Sequence, residues 1–530
     1  MKTFAGKAGA SADKIRGGYY TPASIARFLA DWVAQAGPKI LEPSCGDGRI
    51  LRELAARTDR AHGVELVAGE AAKARAFAPV DTANLFTWTG GAGGEGPWDG
   101  IAGNPPYIRF GNWPADQRDP ALELLRAEGL VPTKLTNAWV PFVVASTGLV
   151  RDGGRVGLVL PAELLQVSYA AQLRDFLVSR FREITLVSFR RLVFGGVLQE
   201  VVLFCGVVGR GTSDAPAHMR AVQLDDADAL ADADLDVPAA PALSHAAEKW
   251  TTYFLDPGQI QTLRAVRAEG TMTSLGSVAA VDVGIVTGRN SFFTFTDAQA
   301  HELELTSHCV PLVSRSAQLS GLVYDLDCRA GDVEAGHRTW LLHAPAQPGD
   351  AALRAHIDAG EAAGVHRGYK CSLRKPWWIT PSLWTPDLFM LRQIHLAPRL
   401  TVNAAAATST DTVHRVRVGP GTDPRALAAV FHNSATFAFA ETMGRSYGGG
   451  ILELEPAEAE RLPIPAPSCA DPDLATDVDL LLRANEIEKA LDVVDRRVLM
   501  DGLGWPAQTV AQCRAAWVAL RERRTRRRSR

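Results

Sequence analysis

Two periodicities of apolar residues alternate along residues 20–210. Apolar positions spaced by three or four residues predict helices over 25–35, 49–56 and 163–180. Short runs rich in Val, Ile and Leu predict strands within PKILEP, AHGVELV, WDGIAG, RVGLVLP, ITLVSF and VVLFCGVV. Strands that alternate with helices indicate a largely parallel sheet covered on both faces. The last two runs lie close together in the chain, so we expect them to pair antiparallel.

The pattern changes twice further along the chain. Residues 212–245 are rich in Ala, Asp and Pro, which favours a connecting region. From 270 to 465, short β-like runs, Gly turns and many aromatic residues predict a second domain of mixed, β-rich character. Residues 475–519 are mostly helical in period. We therefore expect domains at 1–245 and 246–466, and a C-terminal helical segment with a basic tail at 467–530.

Length and composition set broad limits. At 530 residues the chain exceeds what one hydrophobic core usually supports, and 47% hydrophobic with 22% charged residues is typical of soluble globular proteins. No charged-then-apolar leader opens the chain, and no apolar run approaches the roughly 18 residues of a membrane span. Seven scattered cysteines without a CxxC pair argue against a disulfide framework or a zinc site and for a reducing cytoplasm.

The net charge of −3 hides an uneven distribution. The last ten residues hold seven Arg and one Glu, and residues 366–417 hold eight Lys or Arg and two Asp. Residues 224–236 are acidic. This asymmetry suggests a basic face for a polyanion, and a set of solvated surface charges is the alternative.

The segment LEPSCGDGRIL (41–51) follows a predicted strand and carries candidate chemistry. Gly46 and Gly48 permit a tight turn and the close approach of a ligand to the backbone. The next strand ends in Glu65, which can accept hydrogen bonds from ribose hydroxyls. The turn is neither GxGxxG nor a P-loop, and Glu42 disfavours phosphates and suits a cation. S-adenosylmethionine, a nucleoside with a sulfonium and no phosphate, fits this description; a purely structural glycine turn is the alternative.

The segment IAGNPPYIRF (101–110) places an amide and an aromatic ring around two prolines directly after an apolar run. Proline lacks an N–H and fixes φ, so Pro105 and Pro106 hold one backbone shape and leave carbonyls to accept hydrogen bonds. Ligands of open α/β sheets bind at the carboxyl ends of strands, so we expect a site here.

The motifs YYTP (19–22), LEPSCGDG, VEL, ANLFTW (83–88), NPPY (104–107) and GGRVGLVLP (153–161) occur in this order. The series resembles the gamma-class, TaqI-like N6-adenine DNA methyltransferases of type II restriction-modification systems. The resemblance covers residues 18–210 closely and continues more loosely through GRSYGGGILELEPAEAERLPIP (444–465). It implies a Rossmann-like class I methyltransferase domain with a mixed, mostly parallel seven-stranded sheet, followed by a β-rich target-recognition domain.

The resemblance also implies roles toward the cofactor S-adenosylmethionine. Glu65 is expected to bind the ribose, and Leu66 to pack beside the adenine ring. The family's Asp–aromatic pair at this adenine is replaced here by Asn84 and Leu85, where Asn still offers an oxygen acceptor. The other expected cofactor residues are Thr21, Glu42, Ser44, Cys45, Gly46, Asp47, Gly48 and Pro106.

The catalytic residues implied by the NPPY motif are Asn104, Pro105, Pro106 and Tyr107. The side-chain oxygen of Asn104 and the carbonyl of Pro105 can each accept one N–H of the adenine amino group, which favours a tetrahedral nitrogen aimed at the sulfonium methyl. This step requires no metal and no general base. The base must be flipped out of the duplex, and Tyr107 and Phe194 are expected to stack on it. A core position is the alternative for Phe194.

The second domain is expected to read the DNA sequence through donors at base edges and cations at phosphates. The candidates lie in Gly- or aromatic-rich, loop-like stretches and are Arg289, Asn290, Arg315, Lys370, Arg374, Lys375, Arg392 and Arg445. Each could instead be a solvated surface charge. Trp377 and Trp378 are expected in the core.

Four other functions share parts of this pattern. Methyltransferases of protein glutamine use the same NPPY chemistry but would not need a large basic C-terminal domain, and an RNA methyltransferase is a related alternative. A fusion enzyme that also cuts DNA would need more than the 18 residues that precede YYTP. A DNA-binding specificity module with a dead catalytic domain is disfavoured by the intact NPPY motif.

The sequence therefore predicts a stand-alone, monomeric enzyme of the bacterial cytoplasm that methylates adenine in a short sequence of double-stranded DNA. A cognate restriction endonuclease is expected as a functional and not a physical partner, and no membrane is involved. Several relatives with this motif order recognise palindromes with a TCGA core, which is the expectation here as well.

Overall fold

The computed structural model describes residues 21–88, 97–194, 200–209, 217–243, 248–447 and 450–526. These residues form two compact units, which divide between Ile260 and Gln261. Tyr19 and Tyr20 of the YYTP motif, residues 195–199 and the end of the arginine tail at 527–530 lie outside the described residues. In the part of the chain that is described, every helix is too short or too polar to cross a membrane.

One nine-stranded sheet organises the first unit. Its strands are β1 (Ile40–Glu42), β2 (Ala61–Glu65), β3 (Val80–Thr82), β4 (Trp98–Gly103), β5 (Val150–Pro161), β6 (Phe181–Phe189), β7 (Val201–Val208), β8 (His218–Leu224) and β9 (Ala240–Pro241). They lie in the order β3-β2-β1-β4-β5-β7-β6-β8-β9, and the first five of that order are parallel. β7 is antiparallel to β5 and β6, which confirms the expected antiparallel pair.

The sheet has two strands beyond the seven expected. β8 and β9 lie within residues 212–245, where the composition favours a connecting region, with short structure of its own as the alternative. β8 pairs with β6 along all seven of its residues, from His218 to Leu224. Most of its side chains are only half-buried, so main-chain hydrogen bonds stabilise this strand and its apolar signal in the sequence is weak.

Among the described residues of the first unit, seven helices connect and cover these strands. They are α1 (Ala23–Ala34), α2 (Arg49–Ala55), α3 (Ala68–Ala74), α4 (Leu85–Trp88), α5 (Ala115–Ala127), α6 (Trp139–Leu149) and α7 (Ala171–Arg180). The predicted helix over 163–180 begins only at residue 171. Buried Arg174 donates to the carbonyls of Leu164 at 2.7 Å and Val167 at 2.9 Å, which satisfies these carbonyls without an α-helix.

The second unit contains four small sheets, as its β-rich sequence predicts. Their strands are β10 (Thr273–Ser274), β11 (Ala279–Asp282), β12 (Thr294–Thr296), β13 (Cys309–Val313), β14 (Val323–Tyr324), β15 (Arg338–Leu342), β16 (Leu388–Leu391), β17 (Gln393–Ile394), β18 (Leu400–Asn403), β19 (Thr408–Ser409), β20 (Val413–Val418), β21 (Arg445–Tyr447), β22 (Ile451–Glu453) and β23 (Pro463–Ile464). The sheets have the orders β11-β20-β16-β18-β14, β12-β15-β13-β19, β17-β22-β21 and β10-β23.

Helices surround these sheets. They are α8 (Pro257–Glu269), α9 (Asn290–Phe293), α10 (Asp297–Glu302), α11 (Leu326–Glu334), α12 (Ala351–Ala362), α13 (Tyr369–Ser372), α14 (Pro424–Phe431), α15 (Ser434–Met443), α16 (Pro456–Glu460), α17 (Leu474–Arg483), α18 (Ile487–Val494) and α19 (Ala507–Thr525). A π-helical segment, Asp495–Met500, follows the end of α18.

The first turns of the arginine-rich tail are part of the folded core. Arg524 is buried at the end of α19 and donates to both carboxylate oxygens of buried Glu441, at 2.7 and 2.9 Å. It also donates to the carbonyl of Gly450 at 2.8 Å. This guanidinium therefore anchors α19 to α15 rather than facing solvent.

Loss of this buried pair is expected to destabilise the second unit. Arg524→Ala leaves the Glu441 carboxylate buried without its cation, which costs about 3–5 kcal/mol when one partner of a buried pair is removed. The control is Arg496→Ala, since Arg496 forms an exposed pair with Asp501 at 3.2 Å and such pairs contribute about 0–1 kcal/mol. Urea unfolding measures the difference, and equal midpoints for the two variants would contradict the assignment.

Candidate functional site

The carboxyl ends of four neighbouring parallel strands, β3, β2, β1 and β4, meet at one edge of the nine-stranded sheet. Each of them leads directly into a segment that the sequence marked as functional. Together these segments line one cavity of about 760 Å³. The predicted residues on its wall are Thr21, Glu42, Ser44, Cys45, Gly46, Asp47, Glu65, Leu66, Asn84, Leu85, Asn104 and Pro106.

Two predicted glycines of the loop after β1 serve different purposes. Gly46, with φ +52°, lies on the cavity wall, and a Cβ added there would meet nothing within 4 Å. Gly48, with φ +87°, precedes α2 away from the wall, and its added Cβ would lie 2.9 Å from Cα of Ala74. Both conformations favour glycine, but only Gly46 leaves room for a ligand at the backbone.

The Glu65 carboxylate fixes the loop after β1 to the end of β2. Its Oε2 accepts the N–H of Gly46 at 2.9 Å, and its Oε1 accepts the N–H of Val67 at 2.8 Å. The neighbouring Leu66 side chain is 45% exposed and lies on the cavity wall. An exposed leucine beside a braced carboxylate offers an apolar and a polar contact next to each other.

Carboxylates dominate the charge of the cavity wall. Glu42, Asp47, Glu65 and Glu70 line it, whereas the one lysine or arginine among the lining residues, Arg49, is bound to Asp47 at 3.2 Å. In the part of the chain that the structure describes, no group of three or more His, Cys, Asp or Glu is arranged to hold a metal ion. The wall therefore suits an organic cation.

Glu42 is the most buried of these carboxylates, with only 2% of its surface exposed. Its Oε2 has no hydrogen-bond partner among the described residues. Burial raises the pKa of Glu42 well above its usual value, and the nearby charges of Glu65 and Asp47 raise it further, against a lowering hydrogen bond from the backbone of Leu51. A cation that binds here would satisfy a carboxylate that the protein alone leaves incompletely paired.

Cys45 lies in the same loop but is not a nucleophile. Burial, followed by the charges of Glu42 and Glu65, strongly raises the pKa of its thiol. A thiolate is the reactive form of cysteine, so this side chain remains neutral and acts as part of the wall.

Contacts to both neighbouring strands hold the NPPY motif at the end of β4. The Nδ2 of Asn104 donates to Oγ1 of Thr21 at 3.3 Å, and the main-chain carbonyl of Asn104 accepts from Oγ of Ser44 at 3.5 Å. The Tyr107 hydroxyl donates to the carbonyl of Val159 in β5 at 2.9 Å. Asn104 and Pro106 reach the cavity, whereas Pro105 and Tyr107 do not line it.

Phe194 also lies off the cavity wall. Its ring is 5% exposed and belongs to the same apolar cluster against which Tyr107 packs. Residues 195–199, which follow it directly, lie outside the described residues. The observed position is the core alternative named above, so stacking of Phe194 on a base stays a prediction.

Asn84 has a local structural role at the cavity. Its Oδ1 accepts the N–H of Phe86 at 3.1 Å at the start of α4, and its Nδ2 donates to the carbonyl of Gln117 at 3.4 Å. These bonds hold the amide at the wall, where Leu85 also lies. A contact between Asn84 and an adenine stays a prediction.

An aromatic part of the wall was missed by the sequence analysis. Phe86, Trp113 and Phe142 line the cavity, and the rings of Phe86 and Phe142 meet edge to face with centroids 4.9 Å apart. Phe142 lies in α6, whose sequence WVPFVVASTGL is apolar on every side. The sequence of such a helix predicts a core position for every face. Only the position of the cavity distinguishes Phe142 from its buried neighbours.

Three of the eight predicted DNA-binding residues in the second unit form ion pairs or hydrogen bonds with other residues of the protein. Arg392 pairs with Glu453 at 2.6 Å and Glu455 at 3.1 Å. Arg445 pairs with Glu458, with a distance of 3.0 Å from Nε to Oε1. The third residue, Arg374, donates to the carbonyl of Val286 at 2.6 Å. These contacts indicate structural roles.

The other candidates lie at the surface. Arg289, Asn290, Arg315, Lys370 and Lys375 are exposed, and none of the four cations among them forms an ion pair with a described residue. Trp377 is buried in an apolar cluster and Trp378 packs against it half-buried, as expected for core residues.

Comparison with known proteins places this geometry in a family. The family model for the Eco57I restriction-modification methylase matches residues 58–194, and that for the C-terminal domain of the Type II methyltransferase M.Eco57I matches residues 247–499. Type II methyltransferase M.AccI of Acinetobacter calcoaceticus is 21% identical over 476 residues, or 84% of each chain. M.XamI of Xanthomonas campestris pv. amaranthicola is 24% identical over 485 residues, or 85% of each chain.

The chain belongs to the type II restriction-modification methyltransferase family. Among solved structures, the type IIL restriction-modification enzyme MmeI in complex with DNA has a TM-score of 0.56 at 13% identity, over 94% of this chain and 75% of that one. This likeness supports the fold of a restriction-modification methyltransferase.

The raised pKa of Glu42 predicts how this methyltransferase responds to loss of the charge. A carboxyl whose pKa is raised by folding contributes stability below its unfolded pKa of about 4.3, and that contribution disappears as the pH rises through the folded pKa. Glu42→Gln is neutral at every pH. The variant should therefore unfold at a higher temperature than the parent at neutral pH, in the absence of ligands.

The same comparison at low pH is the control. Below the unfolded pKa of glutamate both side chains are uncharged, so the difference in melting temperature should shrink toward zero. A glutamine at half-buried Glu53, which pairs with Arg57 at 3.3 Å, should not stabilise the protein at any pH. A melting temperature for Glu42→Gln at or below that of the parent at neutral pH would show that the buried charge carries no cost.

Proposed function

We propose that this protein transfers a methyl group from S-adenosylmethionine to the exocyclic amino nitrogen of adenine in a short sequence of duplex DNA. The observation that carries the proposal is the meeting of the NPPY segment with an acidic, partly aromatic cavity at one edge of the sheet. The family membership supports DNA as the substrate, and the motif order supports the gamma class.

The residues of the cavity fit S-adenosylmethionine. The volume of about 760 Å³ lies within the range of about 300–1,000 Å³ typical of cofactor sites. The buried, incompletely paired carboxylate of Glu42 suits the cationic methionine end, and Glu65 suits the ribose hydroxyls. Leu66 and Phe142 provide apolar surface for the adenine ring. When bound, this cofactor supplies a methyl group on a positively charged sulfur.

Asn104 and Pro105 activate the target amine. The nitrogen of the adenine amino group is a weak nucleophile because its lone pair is delocalised into the ring. The Asn104 side-chain oxygen and the Pro105 carbonyl accept its two N–H groups, draw them out of the ring plane and localise the lone pair. Acceptors fixed where positive charge develops stabilise the transition state without reorganisation. The bond from Asn104 to Thr21 holds this amide in one orientation.

A base inside a duplex cannot reach Asn104, so the adenine must leave the stack. Unstacking costs a few kcal/mol, which contacts in the pocket offset. In this proposal Tyr107 supplies a stacking face, and its hydroxyl bond to Val159 fixes the plane of the ring. Phe194 would form a second face after a rearrangement that exposes it.

The biological role follows from the family. Methylation at the recognition sequence protects the DNA of the cell from a cognate restriction endonuclease. A monomer suffices, since each strand of a site is methylated in a separate visit. A palindrome with a TCGA core is our proposal for the site, and the second unit supplies the residues that select it.

Single-molecule sequencing tests the proposal. DNA from a methylation-free host that expresses the protein should carry modified adenine in one short motif. Asn104→Ala should lower methyl transfer by about a hundredfold or more, the usual loss when one transition-state hydrogen bond is removed. Retained S-adenosylmethionine binding by the purified variant shows that the cavity is still folded. Unmodified host DNA, with a methylated RNA or protein instead, would overturn the assignment.

Cofactor affinity is expected to depend on pH through Glu42. Its raised pKa means that it loses its charge at a pH where ordinary carboxylates remain ionised, so binding of the cationic cofactor should weaken as the pH falls through that range. Glu42→Gln should bind S-adenosylmethionine about ten- to a hundredfold more weakly, the contribution of a hydrogen bond to a charged group. Calorimetric titration should also show a flatter pH profile for the variant; an unchanged profile would exclude Glu42 as the cause.

A further inference from the structure

The second unit exposes a tyrosine among cations that have no carboxylate partners. We refer to this region as the Tyr369 surface, and its residues are Arg289, Arg367, Tyr369, Lys370, Leu373 and Lys375. Tyr369 is 74% exposed and Leu373 is 66% exposed. Two large apolar side chains so close together at the surface are unusual for a protein that has no partner there.

The surface is assembled from two chain segments that are joined directly. A Cβ added to Gly288 would lie 2.8 Å from Cβ of Lys370, so the loop before α9 lies against α13. Arg374 donates to the carbonyl of Val286 at 2.6 Å, and the thiol of Cys371 donates to that of Thr287 at 3.8 Å. Arg289 therefore lies beside Lys370 although 81 positions separate them in the chain.

A packed core supports this surface from below. Cys371 and Trp377 are buried in one cluster with Phe292, whose ring centroid lies 5.0 Å from that of Trp377. Gly360 permits this packing, since a Cβ there would lie 2.4 Å from the Phe292 ring. The exposed side chains thus project from a fixed base, which lowers the entropic cost of binding a partner.

The two chain segments that form this surface contain basic residues and no acidic residue. Residues 363–386 contain four Lys or Arg and no Asp or Glu, and residues 283–296 contain Arg289 and no acidic residue. Arg289, Arg367, Lys370 and Lys375 form no ion pair with any described residue. By contrast, Arg392 and Arg445 are neutralised by glutamates. The unneutralised cations create a local positive potential that favours a polyanion.

We propose that the Tyr369 surface binds duplex DNA, an inference that rests on the proposed function. Arg289, Arg367, Lys370 and Lys375 contact phosphates, and Tyr369 packs against the sugars and base edges of a groove. Cations at phosphates position a protein on the duplex, whereas a side chain in the groove contacts the bases. This assignment selects three of the eight predicted DNA-binding residues, adds Arg367 and Tyr369, and removes Arg374, Arg392 and Arg445.

Salt dependence of DNA binding separates the phosphate contacts from other effects. The probe is a fluorescein-labelled duplex of about 30 base pairs, and the full-length protein is titrated by anisotropy at several salt concentrations. Each phosphate contact contributes about 0.9 to the slope of log K against log salt. Lys370→Ala with Lys375→Ala should therefore lower the slope by about two and weaken binding at low salt.

The matched control removes the same charge elsewhere in the second unit. Lys489 and Arg496 are exposed and pair with Glu486 and Asp501, so Lys489→Ala with Arg496→Ala should leave the slope unchanged. Tyr369→Ala should weaken binding with the slope retained, because it removes no charge. Equal slopes for the Lys370/Lys375 variant and the parent, or equal losses in the control, would overturn the assignment.

The same titration distinguishes this inference from the proposed function. A parent protein that binds the duplex and methylates adenine, with variants that bind as well as the parent, would overturn the Tyr369 surface and leave the proposed function intact. A parent protein that binds no duplex DNA would overturn both. Melting temperatures within a degree or two of the parent, the effect of a surface substitution, show that the variants remain folded.

Discussion

The parallel arrangement of β3, β2, β1 and β4 is the constraint on which the site depends. Parallel strands present their carboxyl ends at one edge, so segments that are separated in the sequence face one cavity. Within that edge the Glu65 carboxylate has the most connections, because its two oxygens hold the N–H groups of Gly46 and Val67. The same carboxylate thus holds the loop in place and forms part of the cavity wall, so a substitution of Glu65 affects both the loop and the wall.

The buried charge in this cavity raises the free energy of the folded state. Glu42 is almost fully buried, its pKa is raised by desolvation, and one of its oxygens has no partner among the described residues. A protein selected for stability alone would place an uncharged residue there. The unfavourable carboxylate makes sense if a cation compensates it, so the ligand-free and ligand-bound states should differ most in stability around this residue.

The sequence predicted the parts of the site that are fixed by backbone geometry. Glu65 is the last residue of β2 and Asn104 follows β4 directly, and a strand end can be located from the apolar pattern alone. Phe142 could not be predicted in this way, because α6 is apolar on all sides and its buried faces look alike. The strand β8 was not predicted because a strand whose side chains are mostly half-buried carries a weak apolar signal. Local periodicity therefore predicts elements, whereas the packing between them decides which side chains line the cavity.

The charge that a basic residue presents at the surface also depends on contacts with residues that are distant in the sequence. Arg392 and Lys370 look alike in the sequence, but Arg392 is neutralised by Glu453 and Glu455, more than sixty positions away, which only the fold brings near. Arg524 is fully removed from the surface although it belongs to a highly basic tail, because it is buried against Glu441. A count of basic residues thus overestimates the surface open to a polyanion. The absence of Asp and Glu from residues 363–386 is more informative, because cations that form no ion pair with a described residue keep a positive charge that a polyanion can neutralise.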